Sequence, residues 1–277
     1  MHEIAKALET VENAARAANG RAEGDYIADD GLLHCGNCRT PKECRAEMFG
    51  EMRTLPCMCQ CKTEAYQAKR KEMRRKQLEI RRDEAFSAEE MRGWTFSNDD
   101  GANAKLTDAM RRYVDAFPRM LASGQGLLLW GNSGTGKTFA ACEVANALID
   151  NGYSVFVSSF SRIANVLQDT KEGRQKYINN LNRYHLVVID DLGVERQTQY
   201  MQEIVYNIID SRYRAGKPMI ITTNLDISEL KKPSDVSNIR IYDRIIERCF
   251  PVEVNGKSRR RQKVCESYDD MRRLLGL

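Results

Sequence analysis

The sequence predicts an α/β fold, a parallel sheet with helices on both faces, preceded by a small cysteine-rich module and a charged linker helix. Three observations carry this. Short apolar runs alternate with helical patterns through residues 93–277. One run leads straight into a glycine-rich loop ending in Lys-Thr. Six of the nine cysteines crowd between Cys35 and Cys61.

In the alternating region the expected strands are Leu127–Trp130, Val155–Val157, Leu186–Ile189, Met219–Ile221 and Val252–Val254. Helical patterns over Phe139–Asp150, Arg162–Asp169, Gln199–Arg214 and Ile239–Cys249 separate them. Ahead of this domain stand three shorter regions. Residues 1–30 read as a short amphipathic helix, with Ile4, Ala7, Leu8, Val11 and Ala15 at helical spacing, and an acidic link. Residues 31–61 hold the cysteine cluster. Residues 62–92 lack Gly and Pro and are rich in helix formers with opposite charges three or four apart, so one exposed helix is expected there. Its cluster Lys69, Arg70, Lys71, Arg74, Arg75 and Lys76 could touch phosphates; the competing reading is a solvated helix bridging two domains.

Composition narrows the function classes. The hydrophobic fraction of 42% over 277 residues suffices for one full domain and a small accessory one. A net charge of +4 does not by itself imply nucleic acid. No run of 18 apolar residues exists and the N-terminus lacks a secretory pattern, so a cytoplasmic protein is expected. In a reducing compartment a local cysteine cluster reads as a metal site rather than a disulfide framework.

The loop Gly131-Asn132-Ser133-Gly134-Thr135-Gly136-Lys137-Thr138 fits G-x-x-x-x-G-K-[ST], between an apolar strand and a helix. Its glycines let successive N–H groups turn toward an anion, and the helix that follows adds its positive end. Lys137 would meet the β- and γ-phosphates and Thr138 would offer its hydroxyl to magnesium, so ATP with Mg2+ is the expected ligand. The strand Leu186–Ile189 ends in Asp190 and Asp191. Asp190 is the expected magnesium carboxylate; Asp191 could orient or deprotonate an attacking water, with Glu195 as a second candidate. Asn224, at the tip of Met219-Ile-Ile-Thr-Thr, is expected at the same sheet edge, where an amide can hold the lytic water. Arg244 and Arg248 are one helical turn apart and could reach a neighbouring subunit's γ-phosphate, or pair at the surface with Asp243 and Glu247.

In the cluster, Cys35-x-x-Cys38 is followed by Cys57-x-Cys59-x-Cys61, with Cys44 between. Four thiolates make a closed structural zinc site. The preferred ligands are Cys35, Cys38, Cys57 and Cys59, with Cys61 able to replace one of the last two and Cys44 a weaker extra. A region this short cannot build an adequate apolar core, so Zn2+ would supply folding energy; an iron–sulfur cluster is the second option.

The combination GNSGTGKT, LVVIDDLGVE, IITTNL and IYDRIIERC resembles the AAA+ ATPases of the bacterial helicase-loader type, DnaC-like and DnaI-like, a group that includes the IstB-like transposition helpers. The resemblance covers roughly Trp94 to Arg261, and Trp94-Thr-Phe-Ser-Asn-Asp-Asp100 resembles the opening of this domain in phage and prophage loaders. It implies a P-loop NTPase sheet of the ASCE class in the order 5-1-4-3-2. It assigns Lys137 and Thr138 to the phosphate loop, Asp190 and Asp191 to Walker B, and Asn224 to sensor 1. It makes Arg248, with Arg244 second, the arginine finger, and Arg259 or Arg260 a terminal sensor. The 16 residues after Arg261 are too few for a full helical lid. The implied partners are a hexameric replicative helicase, gripped by the zinc module, further copies in a ring or spiral, and single-stranded DNA. For the DNA, Phe160–Tyr184 offers Arg162, Lys171, Arg174, Lys176, Tyr177 and Arg183, or else only a solvated helix pair. The small zinc module suggests a phage or prophage source. A transposition helper acting on target DNA, and a nucleotide-dependent scaffold with little turnover, are the alternatives.

Overall fold

The computed structural model describes residues 20–48, 50–169, 173–193, 199–232 and 236–276. The expected N-terminal helix, Lys171 and Glu195 lie outside them. Two compact units divide between Gln77 and Leu78, so the boundary falls inside the charged helix rather than after residue 92.

The first unit contains two small antiparallel pairs. β1 (Tyr26–Ile27) pairs with β2 (Leu33–His34), and β3 (Glu43–Met48) with β4 (Glu51–Pro56). A buried ion pair helps to organise it. Lys42 Nζ lies 2.5 Å from Asp25 Oδ2 and also donates to the Gly20 carbonyl at 2.9 Å. The Lys42 ammonium, with N–H groups from Ala22 and Gly36, holds the Asp25 carboxyl down at about 2.

Helix α1 (Gln60–Ala85) starts in this unit and ends in the second. It stops seven residues before the end of the region, 62–92, expected to be one helix. Ala85 and Phe86 are buried, Phe86 bridges to Val157, and Leu78 packs against the core. Arg82 donates to Asn146 at 3.0 Å and pairs with Asp150 at 2.6 Å. A 3-10 turn over Glu89–Gly93 follows.

In the second unit the five strands are β5 (Gly126–Trp130), β6 (Val155–Ser159), β7 (Leu186–Leu192), β8 (Met219–Thr223) and β9 (Cys249–Glu253). They form one parallel sheet in the order β6-β7-β8-β5-β9. Numbered from β5, this is the 5-1-4-3-2 order that the resemblance implies. Alternate residues of each strand face opposite sides. Leu127, Leu129, Val188 and Ile220 enter one core with α4 (Lys137–Asp150). Leu128, Val187, Ile189 and Ile221 enter the other with α5 (Phe160–Asp169), α6 (Arg174–Leu181), α7 (Gln199–Arg214) and α9 (Val236–Arg248). A sheet covered on both faces explains why its strands read as unbroken apolar runs.

Two helices escape the periodicity argument. α2 (Ala104–Asp115) is capped by Asn103, whose Oδ1 accepts from Leu106 N at 3.2 Å. α3 (Phe117–Ser123) carries a proline in its first turn and ends at Gly124 with φ +70°. The last strand begins at Cys249 rather than Val252, because its ladder with β5 starts at Gly126↔Cys249; Pro251 and the exposed Phe250 hide the apolar pattern. After the short α8 (Ile227–Lys231), α9 and β9, the chain closes with a single helix, α10 (Arg259–Leu275), capped by Ser258. Among the described residues no helix is long and apolar enough to cross a membrane.

Candidate functional site

The phosphate loop curls between β5 and α4. Gly134 (φ +82°) and Gly136 (φ +102°) hold backbone conformations that side chains rarely adopt, and a Cβ at Gly134 would stand 2.2 Å from Ser258 Oγ. Lys137 is buried and its Nζ donates to Gly131 O at 2.8 Å, Asn132 O at 2.7 Å and Asn224 Oδ1 at 2.8 Å. Burial pulls its ammonium below the usual lysine range, with Asp191 and Asp190 opposing. The loop is thus closed on its own lysine, which phosphate oxygens would draw outward.

β7 loses register with β8 between Ile189 and Leu192, and Asp191 takes φ +59°. Such irregularities re-aim side chains. Asp190 Oδ1 accepts from Thr138 Oγ1 at 2.9 Å and from Thr222 Oγ1 at 2.5 Å, while Asp191 N donates to Thr222 Oγ1 at 3.0 Å. Burial pushes the Asp190 carboxyl up, against the lowering effect of the Thr222 and Thr138 hydroxyls. A desolvated carboxylate beside a threonine hydroxyl is the donor set that suits a magnesium ion; Thr138 and Asp190 would hold it. Thr222 went unnoticed in the sequence, although a threonine pair inside an apolar strand was the available signal.

Beside the buried Asp190 and Thr222, which do not line it, opens a cleft of about 720 Å³. Ser133, Lys137, Thr138, Asp191, Asn224 and Arg260 line its phosphate end, and Trp94, Asn98, Asp100, Phe139 and Arg259 also line it. Arg259 N donates to Gly134 O at 2.9 Å, and its guanidinium lies 2.9 Å from Asp100 and 5.9 Å from the Phe139 ring. The start of α10 is therefore tied to the phosphate loop through the backbone, and through charge to Asp100.

Behind the cleft, Glu143 on α4 is buried with Oε1 unpartnered. Burial, and next the Asp99 charge, push its carboxyl up to about 7, while Arg111 and Arg259 oppose. The folded state holds this proton over a pH range in which the unfolded chain has already lost it, so stability falls as pH rises from about 4.5 to about 7. Glu143→Gln should therefore stabilise the protein by roughly 2–3 kcal/mol at pH 8 and by far less at pH 5. Denaturant midpoints at the two pH values test this; equal gains at both would exclude the charge as the cause.

Neither Arg244 nor Arg248 lines the cleft. Arg244 lies 2.7 Å from Asp210 and over the rings of Tyr206 and Tyr213. Arg248 stacks on Tyr213 at 4.9 Å and donates to Ser123 O at 3.3 Å. In Phe160–Tyr184, Arg162, Lys176 and Arg183 are exposed, but Arg174 donates to Leu167 O at 3.1 Å and covers Tyr200, and Tyr177 packs on the core. Those two serve packing within the unit, because α6 folds back onto α7.

In the first unit the sulfurs of Cys35, Cys38, Cys59 and Cys61 all lie within 4.8 Å of one another. Cys35 and Cys38 sit on the turn after β2, and Cys59 and Cys61 at the start of α1. The separations Cys35–Cys61 at 3.7 Å and Cys59–Cys61 at 3.4 Å are near the ~3.8 Å edge of a tetrahedron with ~2.3 Å zinc–sulfur bonds. The Thr40 hydroxyl holds the Cys38 thiol down at about 5, whereas the sulfurs of Cys59, Cys38 and Cys35 push Cys61 up to about 12. Four such thiolates need a cation to coexist, and the donor set fits zinc. Cys57, preferred over Cys61 in the sequence reading, is not in this group. Its N–H still belongs to the β3–β4 hairpin, bonding Lys42 O at 2.7 Å, and its sulfur meets the Pro41 carbonyl at 3.6 Å. The turn into α1 brings Cys61 round instead. Cys44, on β3, is exposed and also outside the group.

The family model described as IstB-like ATP binding protein matches residues 63–267. The chain is 28% identical over 169 residues to the replicative helicase loader DnaI of Bacillus subtilis (strain 168), covering 56% of this chain and 52% of that protein. It is 30% identical over 139 residues to the replicative helicase loader DnaC of Escherichia coli (strain K12), covering 49% and 54%. It thus spans about half the length of these curated relatives. The crystal structure of DnaI superposes with a TM-score of 0.52 at 22% identity, covering 62% of this chain and 96% of that one, a likeness of fold.

Proposed function

The chain belongs to the family of IstB-like ATP-binding proteins, and from that membership we propose that it is an ATP-dependent loader. It binds a hexameric replicative helicase and delivers it onto single-stranded DNA. The observation that carries the proposal is the similarity to DnaI and DnaC, both named as replicative helicase loaders, together with a family match over residues 63–267, the segment that builds the nucleotide cleft. The four-cysteine module ahead of that segment supports it as a separate gripping element for the helicase.

The chemistry follows from the cleft. ATP enters with its phosphates against the N–H groups of the loop and the start of α4. Lys137 leaves the loop carbonyls for the β- and γ-phosphate oxygens, which releases Asn224 to position water. Thr138 and Asp190 would hold Mg2+, which would supply charge neutralisation on the phosphates. Asp191, turned by its positive φ, orients or deprotonates the attacking water. A cation from a neighbouring copy completes the site. Arg248 is the better candidate, since a carbonyl and a ring hold it where Asp210 pairs with Arg244. ATP hydrolysis would then time release in a ring or spiral of copies. The exposed cations Arg162, Lys176 and Arg183 are the proposed contacts to the strand.

The test is loading itself. With ATP, the purified chain should form a complex with the replicative helicase of its source and increase loading of that helicase onto single strands coated with binding protein. A chain that forms no complex with any such helicase would sink the proposal. Similarity to a protein named as a putative insertion sequence ATP-binding protein favours one second reading, a transposition helper acting on target DNA; preference for long duplex DNA with filament formation would select it.

A further inference from the structure

The stretch Lys69–Lys76 of α1 is not used by the nucleotide site or by the cysteine cluster. It holds six cations and one carboxylate, a net charge of +5 over eight residues. Every side chain from Glu64 to Gln77 is exposed. Glu72, the one acid within Lys69–Lys76, sits 2.9 Å from Arg75 and 3.7 Å from Lys76. At 100° per residue the cations surround the helix, and at 1.5 Å per residue they span about 12 Å, the reach of three or four phosphates spaced ~3.4 Å along one strand. Tyr66, half exposed, lies under Arg70 at 5.9 Å and offers a ring face beside the charges.

We propose that this stretch is a second nucleic-acid contact, which takes the phosphodiester backbone of a DNA strand. The inference rests on the reading that the protein engages DNA. An acidic partner helix fits less well. Tyr66, Met73 and Ile80 recur every seven residues, but three and four positions on stand Lys69, Arg70, Lys76, Gln77, Asp83 and Glu84, so a coiled-coil seam lacks its second apolar row. The same sparse stripe is too thin to enter a membrane surface.

The experiment compares the full chain with a variant carrying Lys69→Gln, Arg70→Gln, Lys71→Gln and Arg74→Gln. Glutamine is a good helix former and these positions are exposed, so helicity should persist in circular dichroism. Binding of a labelled single strand and of a duplex of equal length is followed by anisotropy from low to high salt. The variant should bind at least tenfold more weakly at low salt. Its slope of log K against log salt should be smaller by roughly two to three, at ~0.7 per lost contact for a single strand and ~0.9 for a duplex. The arm with the larger loss identifies the form of DNA bound, and ATP turnover without DNA should stay within twofold. If the parent binds DNA and the variant keeps its slope, the inference is overturned while the loader proposal stands. If the parent binds neither form, both fall. If the variant loses poly-glutamate binding but keeps DNA binding, the surface serves acidic protein and the inference is overturned.

Discussion

Lys137→Ala should lower ATP turnover by at least two orders of magnitude and weaken nucleotide binding. The expectation comes from where the ammonium sits. It is buried, its charge is already disfavoured by desolvation, and its Nζ holds two loop carbonyls and the Asn224 side-chain oxygen at 2.7–2.8 Å. A preorganised donor in a site shielded from water stabilises developing charge without reorganising solvent, and losing one such donor costs on the order of 10²–10³ in rate. The alanine variant also leaves Asn224 and two loop carbonyls without their shared donor, so the loop should become less ordered. Phosphate release at saturating ATP reads the rate, and titration with a fluorescent ATP analogue reads the binding. Turnover within threefold of the parent would rule out this lysine as the phosphate ligand. The companion variant Asp191→Asn addresses a different point: unchanged turnover there would favour a nucleotide-dependent scaffold over a hydrolytic cycle.

The second large effect concerns the cysteine module. Cys59→Ser should remove a metal equivalent and unfold the first unit, leaving nucleotide binding by the second intact. Beyond the buried Asp25–Lys42 pair, this unit has little to hold it. Its strands are short, and its buried hydrophobic residues among those described are Cys35 and Cys59 themselves. In comparable small modules the metal contributes roughly 10–16 kcal/mol of binding free energy that is also folding free energy. Hydrogen exchange over Tyr26–Pro56 of the full chain should approach the unprotected rate in the variant, and after chelation of the parent. Metal analysis should find about one equivalent of zinc in the parent, and Cys57→Ser should leave it unchanged because that sulfur lies outside the group. Less than half an equivalent in the parent, or equal damage from Cys57→Ser and Cys59→Ser, would remove the zinc assignment.

What the sequence by itself determined is whatever depends on local backbone constraint. The phosphate loop could be read because its glycines and its Lys-Thr must stand next to one another, between a strand and a helix, to curl round an anion. The strands of the sheet were legible because burial on both faces leaves unbroken apolar runs, and Asp190 and Asn224 because a polar residue ending such a run must emerge at the sheet edge. Tertiary structure decided the choices made between distant residues. Cys61 rather than Cys57 joins the sulfur group, since the hairpin keeps Cys57 in its ladder while the first turn of α1 rotates Cys61 inward. Thr222 becomes a partner of Asp190 only because β8 lies beside β7. Glu143 reads in the sequence as an ordinary helix charge, and its lone buried oxygen exists because α4 packs against its surroundings on that side. The charged helix was expected to be solvated to its end, yet Leu78, Ala85 and Phe86 give its last turns a core to enter. Composition and periodicity report what a segment can do alone; which residues share an atom's neighbourhood is set by the packing of segments far apart in the chain.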